Sequence, residues 1–165
     1  MRAPTWIAAL AATVACSSAD ESSGPRFAAL GAEVVRDARM GLVWMARDTG
    51  RELSWLDADR HCRELAVGSG GAGWRLPSIE ELAALYDTSM EQPCGEAAIC
   101  RIDPAIRLSS PYQWSATAPQ PGRRVYYDFS FGSQLAPLTR PTLTRRALCT
   151  RDEKDAGGQQ RRGER

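Results

Sequence analysis

The stretch Trp74-Arg75-Leu76-Pro77-Ser78-Ile79-Glu80-Glu81-Leu82 holds the clearest structural instruction in the chain. The Ser78 hydroxyl can accept from the N–H of Glu81 while the Glu81 carboxylate reaches back to the N–H of Ser78, the reciprocal box that opens a helix. Pro77 stands just before the cap, and Leu82, Leu85 and Tyr86 then share one face. Upstream, Ser54 with Asp57 three positions later is a weaker form of the same start, followed by Trp55, Ala58, Cys62 and Leu65 at helical spacing. The glycine-bearing run from Gly68 to Gly73 ends that helix.

Strands are expected on both sides of the helical pair, at Glu33 to Arg36, Leu42 to Ala46 and Arg124 to Phe131. The last alternates Val125, Tyr127, Phe129 and Phe131 against Tyr126, Asp128 and Ser130, so one buried face is expected. A closing strand is expected around Ala147-Leu148-Cys149. From about Asp87 to Gln113 runs a long irregular stretch with Pro93, Pro104 and Pro111, the length of a binding loop. The folded unit is taken as 27–151, after a polar tether over 16–26 and before a tail, 152–165, without aromatic or large aliphatic residues, read as disordered.

Composition sets the outer limits. The 165 residues are 43% hydrophobic and 25% charged, which suits one globular domain. A net charge of +1 gives no global electrostatic reason to bind nucleic acid, and a single histidine excludes a multi-histidine metal site. Charge is unevenly spread: 8 arginines against 14 acids from Cys16 to Cys100, a balance of −6, and 8 arginines against 2 acids from Arg101 to Arg151, a balance of +6. Either acidic helices face arginine-bearing strands, or the second half presents a basic surface to an anionic ligand.

The first 15 residues read as an export signal, with Arg2, then an apolar run from Trp6 to Ala15 spanning about half a bilayer core. Thr13-Val14-Ala15-Cys16 resembles a bacterial lipobox, which makes Cys16 the lipidated first residue of the mature chain. The alternative is plain cleavage after Ser17-Ser18-Ala19. Both place the domain outside the cytoplasm, where disulfides persist. Cys62, Cys94, Cys100 and Cys149 allow three connectivities. Cys94 and Cys100 are natural local partners, which leaves Cys62 with Cys149. No C-x-x-C pair supports zinc.

These motifs, in this order, resemble the Lcl C-terminal domain family. Val35-Arg36-Asp37 with Gly41-Leu42-Val43-Trp44 is similar to its opening strand pair, and Leu53-Ser54-Trp55 with Ala58 and Cys62 to its first helix. Trp74-Arg75-Leu76-Pro77-Ser78 with Glu81-Leu82 resembles its most specific signature. Ile102-Asp103-Pro104, Tyr112-Gln113-Trp114-Ser115, Tyr127-Asp128-Phe129 and Arg146-Ala147-Leu148-Cys149 resemble the later segments. The resemblance implies an α+β, C-type-lectin-like fold: two helices packed on small antiparallel sheets, with a long loop region. It also implies a bridge from the first-helix cysteine to the last strand, in agreement with Cys62–Cys149. Gln113 and the Cys94–Cys100 loop depart from the family pattern, and the Glu-Pro-Asn and Trp-Asn-Asp calcium motifs of lectins are absent.

Nothing in the sequence converges on catalysis. His61 sits beside Cys62 on the first helix and reads as solvent-facing or capped, and Asp57, Asp59, Glu80 and Glu81 suit helix starts. No phosphate-cradling Gly-Lys-Ser/Thr run follows Gly68 to Gly73. Trp44, Trp55, Trp74 and Trp114 read as core, with Arg75 ordering it through loop carbonyls. The expectation is a non-enzymatic envelope or adhesion module, without cofactor or metal, that binds an anionic glycan or a protein partner and is held to the membrane by a lipid anchor. A cysteine-dependent oxidising enzyme of the same broad fold and a structural envelope component are the alternatives. Candidate ligand contacts are Arg107, Tyr112, Arg123, Arg124, Tyr126 and Arg140, since arginine forks suit sulfate and carboxylate and tyrosine suits sugar faces or protein surfaces.

Overall fold

A computed structural model describes residues 24–67, 72–140 and 142–156. The export segment with Cys16, most of the tether and the end of the tail lie outside the described residues. The chain opens with three antiparallel strands, β1 (Phe27–Ala29), β2 (Val34–Asp37) and β3 (Leu42–Met45). The turn between β2 and β3 is built by Asp37, whose buried carboxylate accepts the N–H groups of Arg39 and Met40 and the guanidinium of Arg26. Gly41 completes that turn at φ 63°, a conformation open to glycine at little cost.

Helix α1 (Trp55–Arg63) starts at Ser54, whose hydroxyl accepts the Asp57 N–H at 3.2 Å. Helix α2 (Ile79–Leu85) starts with the full reciprocal box of Ser78 and Glu81, and its Leu82 and Leu85 are buried. Arg75 grips the same Glu81 carboxylate with two nitrogens, at 2.8 and 2.7 Å, and lies 3.5 Å from Asp152. Its fork therefore serves carboxylates first, with Leu76 the one carbonyl it holds among the described residues. Carboxylates outcompete neutral carbonyls because the hydrogen bond is charge-assisted and bidentate.

The expected long irregular stretch contains a short ribbon, β4 (Gln92–Pro93) paired with β5 (Ile99–Cys100) and clipped by Cys94–Cys100. The Gln92 amide donates to the carbonyls of Ile102, Asp103 and Ile106, which ties the stretch to the core. A second sheet follows: β6 (Tyr112–Trp114), β7 (Tyr126–Asp128) and β8 (Ser133–Leu135), all antiparallel. Here the expected one-faced strand from Arg124 to Phe131 is corrected. Strand β7 is central and buried on both faces, with Tyr127, Val125 and Phe129 in one apolar cluster and Tyr126 in the other. Asp128 accepts the Ser130 N–H and ends the strand, which throws Phe131 out to solvent at 78% exposure.

The last strand, β9 (Thr150–Asp152), joins β3, so the first sheet runs β1-β2-β3-β9. The closing strand thus lies after Ala147-Leu148-Cys149, whose neighbours make single bridges to Leu53 and Gln113 rather than a ladder. Asp152 pairs with Leu42, and a short helix α3 (Glu153–Ala156) follows, held by Arg36 on Glu153. The domain therefore extends past the boundary drawn at Arg151; the polar composition of this segment concealed a strand that uses its backbone. The Cys62–Cys149 bridge, with Cα atoms 5.5 Å apart, ties α1 to the start of that strand.

Candidate ligand-binding cleft

Trp55 is the first residue of α1, and its position fixes the cleft. Its indole N–H donates to the carbonyl of Ser115 at 2.8 Å, which locks the ring to the loop after β6. The Arg124 guanidinium lies over the ring, 4.1 Å from its centroid, and donates to the carbonyl of Arg123 at 3.0 Å. A cation held over an indole gains from the ring quadrupole while its outer edge keeps donors free. Of the four tryptophans in the domain, Trp44, Trp74 and Trp114 are buried as expected, whereas Trp55 is only half-buried.

A cleft of about 510 Å³ opens beside this stack, between Ser54 to Asp57 on one side and Gly122, Arg124, Thr139 and Arg140 on the other. The far wall is held by backbone pairing, with the Thr139 N–H on the Gly122 carbonyl at 2.8 Å. Arg123 donates across to Ala136 at 2.7 Å and pairs with Leu138, so it fastens the two loops together. Leu56 forms an apolar rim, 68% exposed. Asp57 lies opposite the arginines but is held by the Ser54 hydroxyl and by Arg60. Among the described residues neither Arg124 nor Arg140 makes an ion pair. The cleft therefore combines a tryptophan capped by Arg124, an apolar lip and two cations without a carboxylate partner among the described residues.

The six candidate contacts divide among three places. Arg124 and Arg140 line the cleft and Arg123 supports it. Tyr126 does not line the cleft: it is 7% exposed, packed edge-on to Tyr112 and Trp114 and covered by Arg145. Tyr112 is more open but belongs to a separate hollow beside Ile99, Arg101 and Phe131. Arg107 lies in a third hollow with Arg47. The candidate arginines therefore do not all line one cleft. The sequence reading missed Trp55, Leu56, Asp57, Gly122 and Thr139. Trp55 was hidden by its place in the apolar stripe of α1; the signal that could have revealed it is its position in the first turn, where a large ring reaches beyond the helix end.

Elsewhere the titratable groups serve the fold. His61 is half-buried rather than solvent-facing, in a small hollow with Arg51 and Glu64. Burial, aided by the Arg51 charge, lowers its pKa against a weaker opposing effect of Glu64. Burial pushes the Glu81 carboxyl up, but the Arg75 guanidinium and the Ser78 N–H outweigh it and hold the pKa below its ordinary value. Cys62, Cys149, Cys94 and Cys100 are all paired and buried. Among the described residues no group of three His, Cys, Asp or Glu side chains could hold a metal ion, and no helix is long and apolar enough to cross a membrane.

The family model of the Lcl C-terminal domain matches residues 33–147, an interval that contains both long helices and every residue of the cleft. No curated protein and no solved structure shows significant similarity to the chain.

Proposed function

The chain belongs to the Lcl C-terminal domain family, and from that premise we propose that it is an exported cell-envelope binding module, without catalytic activity, that takes its ligand in the cleft between Trp55 and Arg140. The observation that carries this reading is the Trp55–Arg124 stack: a ring fixed at its N–H, covered by a cation, beside a second cation at Arg140. Two cations beside the exposed Leu56 rim suit a ligand with a carboxylate or sulfate group next to an apolar patch, an anionic glycan or an acidic protein surface. The C-type-lectin-like arrangement belongs to the same proposal. It is supported by the return of the last strand, β9, to the opening sheet beside β3 and by the bridge that ties α1 to the start of that strand.

Export is supported by the two disulfides, which persist in oxidising compartments. Lipidation at Cys16 completes the proposal and places the module at a membrane surface. The pairing of Cys62, Cys94, Cys100 and Cys149 speaks against the cysteine-dependent oxidising alternative, since a disulfide sulfur is not a thiolate nucleophile.

The test is retention of the full chain on a heparin column and binding to a glycan array, for wild type and for an Arg124→Ser/Arg140→Ser double variant. Retention should be salt-sensitive and should weaken in the variant, while an Arg124→Lys change keeps charge but loses the flat stack. Salt-insensitive retention, or equal retention by the double variant, overturns the reading. Mass measurement of the mature N-terminus tests the anchor separately.

A further inference from the structure

Arg47 and Arg107 stand apart from the cleft and are brought together by the fold. They are register partners of a parallel bridge, made by the Arg107 N–H on the Ala46 carbonyl at 2.9 Å and the Asp48 N–H on the Arg107 carbonyl at 3.3 Å. Neighbouring backbones in such a ladder lie only about 4.8 Å apart, and like charges placed opposite each other repel. Both side chains are exposed and both line one hollow of about 300 Å³. Among the described residues neither makes an ion pair or a side-chain hydrogen bond.

The nearby acids are committed elsewhere or lie outside the lining. Asp48, next in sequence to Arg47, accepts from Gly50, from Ser109 and from the Gln113 amide. Asp103 accepts the Ala105 N–H. Glu33 is exposed on the adjoining turn and is not part of the hollow. The remaining walls are small and apolar, among them Ala29, Ala32, Ala46 and Pro104. At the start of the β1–β2 turn, beside these walls, Leu30 is 46% exposed.

We propose that this end of the domain is a contact surface for anionic phospholipid: the Arg47–Arg107 pair takes a headgroup phosphate, the small apolar walls take the glycerol carbons, and Leu30 dips into the interface. The two non-bridging oxygens of a headgroup phosphodiester can each accept from one of the two guanidinium forks, so that one phosphate bridges the pair. The choice of a lipid surface over a free phosphate rests on the apolar walls and the protruding Leu30, which a hydrated inorganic ion would leave unused. The proposal goes beyond the cleft reading and does not need it: the two surfaces have no lining residue in common.

The experiment is co-sedimentation of the full chain with vesicles of phosphatidylcholine alone and of phosphatidylcholine with 30% phosphatidylglycerol (about that fraction keeps the surface strongly negative). The readout is the ratio of the two affinities, which cancels any contribution of an acyl chain or apolar leader common to both. Wild type should favour the anionic vesicles, and Arg47→Ser/Arg107→Ser should reduce the ratio about 30-fold. Leu30→Ser should weaken binding to the anionic vesicles, and Arg124→Ser/Arg140→Ser should leave the ratio unchanged. A ratio unaffected by the Arg47/Arg107 pair overturns the proposal, as does full competition by millimolar inorganic phosphate, which would mark a site for the free ion. Heparin retention measured on the same variants separates this outcome from failure of the cleft reading.

Discussion

The two disulfides close loops of very different length, and that difference yields a sharp prediction. Cys62 and Cys149 are 87 positions apart, Cys94 and Cys100 only 6. If a bridge acts mainly by restricting the unfolded chain, the long one is worth about 4.6 kcal/mol at 25 °C and the short one about 2.2 kcal/mol. For a folded unit of about 130 residues, unfolding entropy near 2.1 cal/mol/K per residue converts these values to shifts in Tm of about 17 and 8 °C. Cys62→Ala/Cys149→Ala should therefore lose roughly twice the stability of Cys94→Ala/Cys100→Ala.

Both pairs are buried, so each double substitution also removes sulfur from the core, and that common cost leaves the difference between them as the quantity to read. Urea unfolding of the two variants beside wild type, followed by tryptophan fluorescence, gives both free energies. The m value supplies a second check, because cutting the longer loop frees more chain in the denatured state and should raise m further. Equal losses, or a larger loss from the short bridge, would refute the entropic account. Stability would then reside in local packing around Cys94 and Cys100, where Gln92 and the ribbon hold the loop.

Two further outcomes follow from the packing and the charges. At Gly132, φ is +67° and an added Cβ would lie 2.6 Å from the Tyr86 ring, so Gly132→Ala should destabilise the domain by about 1–3 kcal/mol in thermal unfolding, and the same change made in a Tyr86→Ala background should cost less by the steric part. Because the folded Glu81 pKa lies below its unfolded value, its contribution is complete above pH 4.5 and is lost as pH falls through the folded pKa. Glu81→Gln should flatten that acid limb in unfolding measured from pH 6 to 3, and an unchanged limb would show that other carboxylates govern it.

The parts of the fold legible in the sequence are those set by local chemistry. Ser78 and Glu81 announce a helix start because the same few atoms that form the box also stop the preceding chain. The Cys62–Cys149 bridge was legible because the short pairing removes two of four sulfurs from consideration. What was not legible depends on long-range pairing. The Tyr126–Asp128 strand alternates as a one-faced strand would, yet it has neighbours on both edges and apolar clusters on both faces. Thr150 to Asp152 carry no apolar pattern because the ladder to Leu42–Trp44 uses their backbone groups.

The site shows the same division more sharply. Counting charge along the chain located an arginine-rich half correctly but said nothing of direction, since adjacent residues on a loop are free to point apart. Arg123 and Arg124 are neighbours in sequence, yet one fastens Ala136 and the other covers Trp55. Arg47 and Arg107, separated by 60 positions in the chain, become neighbours only when two short segments meet in parallel. That pairing keeps two cations together without a carboxylate between them, an arrangement with an electrostatic cost in the free domain that an anion would relieve. A stabilising anion should therefore raise Tm more in wild type than in Arg107→Ser, and neutralising one arginine should stabilise the free domain slightly at low salt. If Arg107→Ser is instead less stable at low salt and anions act on both proteins alike, the pair carries no stored repulsion, and its value to a ligand has no structural basis.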